Sequence, residues 1–154
     1  MGSKIVNYRD EEWKDLKIEN LTDRHKYKIS NYGRIISFYF DKKGKLLKLG
    51  NVHGYKSFVV RDRNGKHIYS YVHRLVAEHF LEKSSSDQKI VLHLDSNRHN
   101  NYYRNLKWAT ESEQYHYQLK INPNLKPLQP KGPRAWSKLS ESEVKLIKRK
   151  LNDP

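Results

Sequence analysis

The sequence predicts an α+β chain: a small antiparallel β module, a helix, a compact strand–loop–strand–helix unit, then an extended linker and a terminal helix. Three observations carry that expectation. Residues 11–72 hold short runs of alternating apolar and polar residues separated by Asn- and Gly-bearing turns, which is a hairpin pattern. Residues 90–118 read as strand, polar loop, strand and helix. Four of the five prolines, Pro123, Pro127, Pro130 and Pro133, lie close together. Proline neither continues a helix nor donates to a central ladder.

The elements follow in order. Residues 1–10 are polar and are expected to be loose. Trp13, Leu16 and Ile18 are candidate core contacts. Residues 27–30 alternate, Asn31-Tyr32-Gly33 turns, and residues 34–39 resume the pattern. A second turn, Asp41-Lys42-Lys43-Gly44-Lys45, leads into Leu46-Leu47. Gly54 opens a run from Tyr55 to Val60, and Arg63-Asn64-Gly65-Lys66 turns it back into residues 68–72. Together these runs predict one small antiparallel sheet. Leu75, Val76, Ala77, Phe80 and Leu81 are spaced for a helix over residues 73–81. His73 and His79, on or beside it, read as packing or hydrogen-bonding residues.

A Ser-rich loop, residues 83–89, precedes the apolar run Ile90-Val91-Leu92, with His93 at its end. Residues 95–101 are turn formers, and residues 105–108 are short enough for a returning strand. Thr110, with Glu111 and Glu113 just after it, predicts a capped helix over residues 110–119. Beyond the proline-rich linker, Ser140 and Glu143 form a capping box ahead of Val144, Ile147 and Leu151, a basic amphipathic helix. The expected divisions are a loose end (1–10), a β-rich module (11–72), a ββα unit (73–120), a linker (121–136) and a terminal helix (137–154).

Composition narrows the function. Hydrophobic residues make up 36% of 154, a lean core that eleven Tyr and three Trp supplement. The net charge of +14 points to a polyanionic partner. There is no cysteine, so disulfides, thiolate zinc sites and cysteine nucleophiles are excluded. No apolar run approaches the ~18 residues of a membrane span, and residues 1–10 lack the apolar segment of a signal peptide. The expectation is a soluble, intracellular protein with no membrane partner.

His93, the Asp95-Ser96-Asn97 turn, Asn100-Asn101 and the run from Asn105 to Thr110 together resemble the ββα-metal site of HNH nucleases. The likeness extends upstream through Val72-His73-Arg74-Leu75-Val76-Ala77 and Phe80. Trp13 and residues 27–37 are similar to the small module that precedes HNH in phage-type and intron-encoded homing endonucleases. The resemblance implies phosphodiester hydrolysis of double-stranded DNA with a divalent metal, Mg or Mn. In that family the histidine in the place of His93 is the general base, and the asparagine in the place of Asn105 pins the loop that orients it. The metal is held by the residue before the histidine and by one on the helix, four positions after the threonine. Localisation would be cytoplasmic, in a bacterial host or virus-infected cell, or nucleoid-associated, with a monomer favoured.

The sequence departs from the family at both metal positions. Leu92 precedes His93 and has no donor atom, and Gln114 takes the helix position. Three alternatives stand. The site is inactive; or Gln114, Asp95, waters and the DNA phosphate hold a hard cation; or His116 replaces Gln114.

Candidate DNA contacts are Arg34, Lys48, Lys56, Arg61, Arg63 and Lys66 in the β module, and Asn97, Arg98, Arg104 and Lys107 in the ββα unit. Lys131 and Arg134 lie in the linker, which in similar homing enzymes follows the minor groove. A β-ribbon with basic turns can enter a groove or ride along phosphates. Three functions compete: a DNA-nicking nuclease with His93 as base, a catalytically degenerate HNH-derived DNA-binding protein, and an RNA-binding or packaging protein.

Overall fold

A computed structural model describes residues 5–18, 21 and 26–125. Most of the expected linker and all of the terminal helix, with Lys131 and Arg134, lie outside the described residues. Residues 1–117 form one compact unit and residues 118–154 a second.

Nine strands and two helices follow one another: β1 (Trp13–Leu16), β2 (Tyr27–Ser30), β3 (Ile35–Ser37), β4 (Lys45–Leu46), β5 (Gly50–Val52), β6 (Tyr55–Arg61), β7 (His67–Tyr71), α1 (Val72–Phe80), β8 (Ile90–His93), β9 (Leu106–Ala109) and α2 (Glu111–Ile121) among the described residues. Residues 11–72 form two sheets rather than the single one expected. One has the order β1-β2-β3-β4 and the other β5-β6-β7, all antiparallel. The break has a physical cause: Leu47 and Leu49 pack on the core between β4 and β5, so the chain leaves one ladder and enters the next. β5, with its Gly50-Asn51-Val52 sequence, carries no alternation that would announce it.

The core lies where α1 meets the sheets. Ile29, Ile35, Val72 and Val76 are fully buried, and Leu16, Phe58, Val60, Leu75 and Leu106 close around them. Each such side chain stabilises by about 2 kcal/mol relative to exposure. Trp108 on β9 is buried against α1, and its indole N–H donates to the Ala77 carbonyl at 3.3 Å.

The Asn31-Tyr32-Gly33 turn joins the N-terminal sheet to the loop after β8. The Asn31 side chain donates to the Asp10 carbonyl (2.9 Å) and accepts from the Glu12 N–H (3.1 Å), while its own carbonyl accepts from the Tyr103 N–H (2.8 Å). Tyr32 and Tyr102 stack 4.4 Å apart, and both hydroxyls donate to the Asp10 carboxylate, which lowers its pKa. Gly33 has φ of +76°, and a Cβ there would lie 2.7 Å from the Asn101 Cβ. Only glycine fits both the left-handed backbone and that close approach.

Candidate active site

β8 and β9 pair antiparallel, with Leu92 opposite Lys107 and His93 opposite Leu106. This register sets His93 at the mouth of the loop over residues 94–105. Asp95 is the hub of the loop. Its Oδ1 accepts from the Asn97 N–H (2.8 Å) and the Asn105 amide (2.9 Å), and its Oδ2 accepts from the Asn100 amide (2.7 Å). The Asn100 bond, then that from Asn97, holds the carboxyl below its ordinary pKa. Asn105 lies in a short 3-10 turn just before β9, not in the strand. Its amide also donates to the Asn100 carbonyl (2.9 Å), and its Oδ1 accepts from the Asp95 N–H (3.0 Å).

His93 is 7% exposed and Asn101 is 4% exposed. The His93 Nε2–H donates to Asn101 Oδ1 at 3.1 Å. In this arrangement a neutral imidazole carries its lone pair on Nδ1. Around the ring stand Tyr55, at 5.9 Å between centroids, and His73, at 5.1 Å. Burial, with a smaller effect of His93, lowers the His73 pKa to about 4.

α2 closes the other side. Thr110 and Glu113 form a reciprocal capping box: the Glu113 N–H donates to Thr110 Oγ1 (3.2 Å) and the Thr110 N–H to the Glu113 carboxylate (2.8 Å). Tyr117 then reaches back, its hydroxyl 3.0 Å from the His93 carbonyl and 2.8 Å from that of Leu94. Gln114 is half-buried between these two anchors. His116 turns Nδ1 onto the Ser112 carbonyl at 2.7 Å.

The candidate DNA contacts divide into groups. Arg98 lies over the Tyr55 ring at 4.8 Å and donates to the His53 carbonyl, so with Asn97 it borders the His93 centre. Lys48 and Lys66 are exposed, and Lys56 is half-buried. Arg61 donates to His67 (3.0 Å), Arg63 to the Leu21 carbonyl (3.0 Å) and Arg104 to the Tyr103 hydroxyl (3.1 Å). Lys107 meets Glu113 at 3.4 Å. Arg34 has the most intramolecular partners of the group. It pairs with Glu11 at 2.8 Å, donates to the Val6 carbonyl and lies over the Tyr8 ring, so it ties residues 6–11 to the sheet.

Sequence reasoning missed His73 as a neighbour of His93, and it missed Asn101 and Tyr117. The doubled Asn100-Asn101 was a signal, because two successive asparagines ending a turn alternate in direction and one can face inward. Nothing local to His73 announced its partner, since β6 and β7 set its surroundings.

The fold and this centre define a ββα nuclease-like unit behind a two-sheet module. The HNH endonuclease family model matches residues 70–116, and the NUMOD4 motif matches residues 11–61. The chain thus carries an HNH endonuclease domain with the NUMOD4 motif ahead of it. It is homologous to DNA endonuclease I-HmuI of Bacillus phage SP01, with 37% identity over 65% of this chain and 53% of the relative. An uncharacterized HNH endonuclease of Acanthamoeba polyphaga mimivirus is 30% identical over 79% of this chain and 29% of its own length. A second from the same virus is 40% identical over 54% and 24%. The solved structure of I-HmuI superposes with a TM-score of 0.59 at 30% identity, over 90% of this chain and 66% of that one. The chain thus spans only about a quarter to a half of the curated relatives' lengths.

HNH endonucleases generally use a divalent metal. The residues here do not fit the family's two-ligand arrangement. Leu92 has no side-chain donor at one of the two positions, and Gln114 brings a longer amide at the other. Among the described residues no three His, Asp or Glu side chains converge on one point. No helix among them is long and apolar enough to cross a membrane.

Proposed function

We propose that this chain binds duplex DNA and nicks it by phosphodiester hydrolysis, with His93 as the general base. The observation that carries the reading is the buried His93–Asn101 hydrogen bond. With Nε2–H engaged, Nδ1 is the nitrogen available to take a proton from an attacking water. Asn105 and Asp95 hold the loop so that the geometry is present before substrate arrives. I-HmuI binds and cleaves DNA, and the likeness to it supports the same substrate class here. The +14 charge supports phosphate contact, with Arg98 and Asn97 beside the centre. No step is assigned to a metal, because the donor set does not fit one in the family's manner.

A second reading, DNA binding without cleavage, is favoured by one observation: Leu92 offers no atom to a cation next to His93. Supercoiled-plasmid nicking with Mg²⁺ or Mn²⁺, wild type beside His93→Ala, separates the two when run with a gel-shift on the same DNA. Under the first reading His93→Ala lowers nicking by about 10²–10⁴-fold and leaves binding intact. Binding without nicking in either metal establishes the second. Affinity that stays flat between low and physiological salt would overturn both, because phosphate contacts release counterions.

A further inference from the structure

The Asn101 bond holds His93 at one nitrogen only. A ring bonded through one atom can still rock about χ2, which is a broad torsion for histidine. The remaining restraint comes from a neighbouring ring. His73, in the first turn of α1, meets His93 edge-on, with centroids 5.1 Å apart and planes at 61°. His73 packs on Tyr71 (5.6 Å, 26°) and Tyr55 (4.9 Å, 41°), which are 5.7 Å from each other, so the three rings form a triangular clamp. Tyr71 ends β7 and Tyr55 begins β6, so the two-sheet module supplies the clamp and the ββα unit supplies the base.

His73 Nδ1 is buried with no hydrogen-bond partner among the described residues. Its lowered pKa keeps His73 neutral at physiological pH, so it brings no second positive charge to His93 when His93 takes up a proton.

We propose that His73 is a positioning residue of the hydrolytic centre: its clamped ring sets the plane of the His93 imidazole while Asn101 holds one of the nitrogens. The inference rests on the reading of His93 as the base. His73 acts through His93, without meeting the substrate.

The test measures His93 itself as well as turnover. Imidazole nitrogen NMR of the full chain at neutral pH is recorded for wild type, His73→Ala and His73→Phe, with thermal melts to confirm folding and with kcat and KM for nicking. Wild type is expected to show one His93 tautomer, protonated on Nε2. His73→Ala is expected to give a mixed or broadened His93 signal and a kcat lower by roughly 10–100-fold, the size of effect that misplacement of a reacting group produces. KM and gel-shift affinity stay unchanged, and His73→Phe, which refills the ring volume, restores most of both readouts. A folded His73→Ala with the wild-type His93 signal and kcat overturns the proposal. If wild type does not nick, a His93 signal that shifts in His73→Ala and returns in His73→Phe still supports the positioning role, while the cleavage reading fails. Should His73→Ala not fold, Tyr71→Ala loosens the same clamp, and an unshifted His93 signal there overturns the proposal.

Discussion

His93 and Leu92 are consecutive residues of β8, yet their surroundings have little in common. His93 is bonded to Asn101, flanked by His73 and Tyr55, and backed by a loop in which every oxygen of Asp95 and Asn105 is engaged. Leu92 sits half-buried opposite Lys107 with no polar function in its side chain, and the helix position carries Gln114, an amide. One side of the centre is densely hydrogen-bonded and the other presents an apolar side chain. The difference teaches that the loop's order is self-sufficient. It comes from asparagine and aspartate side chains bonding to one another and to the backbone of the same loop.

After His93→Ala itself, the largest expected effect comes from breaking the hydrogen-bonded side. Asn105→Ala removes the side-chain bonds to the Asp95 N–H, the Asp95 carboxylate and the Asn100 carbonyl. Nicking is expected to drop by about 100-fold through lost placement of the base, with DNA affinity measured by gel-shift little changed. Unaltered nicking would mean that the loop does not position His93.

Gly33→Ala attacks the same side from the N-terminal module. The new Cβ would meet the Asn101 Cβ at 2.7 Å on a backbone at φ +76°. Destabilisation of roughly 2 kcal/mol is expected from the left-handed backbone alone, read by urea denaturation. A displaced Asn101 should weaken nicking in parallel. Stability loss without any effect on His93 would separate the module from the centre.

Leu92→Asp sharpens the comparison by furnishing the empty side. It is expected to raise Mn²⁺ affinity and to increase nicking about tenfold, the size that one recovered ligand contact supports. Activity already high and indifferent to this change would show that the cation is held elsewhere.

The smallest effect is on pH. His73 has a folded pKa near 4, well below its ordinary value of 6.5. Between those values the unfolded chain binds more protons, so stability is full above about pH 6.5 and declines as pH falls toward 4. Thermal melts across this window should show the decline flattened in His73→Phe.

How much of this was legible beforehand depended on range. Hairpins such as β2–β3 and β6–β7 were readable because alternation and turn residues are local signals. So was the capped start of α2, where Thr110 and Glu113 lie three residues apart. The split into two sheets was not, because it depends on Leu47 and Leu49 finding the core. The pairing of Arg34 with Glu11 was not legible either, because it spans a long stretch of chain. His73 looked like a packing residue, and it is one, but the ring it packs on is that of His93.

The sequence by itself determined the chain's class: the order of strand, loop, strand and helix, the histidine at the strand end, the missing donor at position 92 and the excess of positive charge. These are properties of residue type and spacing, which a linear chain carries openly. The tertiary structure alone decided that a turn of the N-terminal module would press against Asn101 through Gly33 and that Tyr55 and Tyr71 would hold His73 against His93. It also decided that the Asp95 carboxylate would be occupied by its own loop. Each of these contacts joins residues far apart in the chain or depends on the direction of a side chain, and only packing selects such partners.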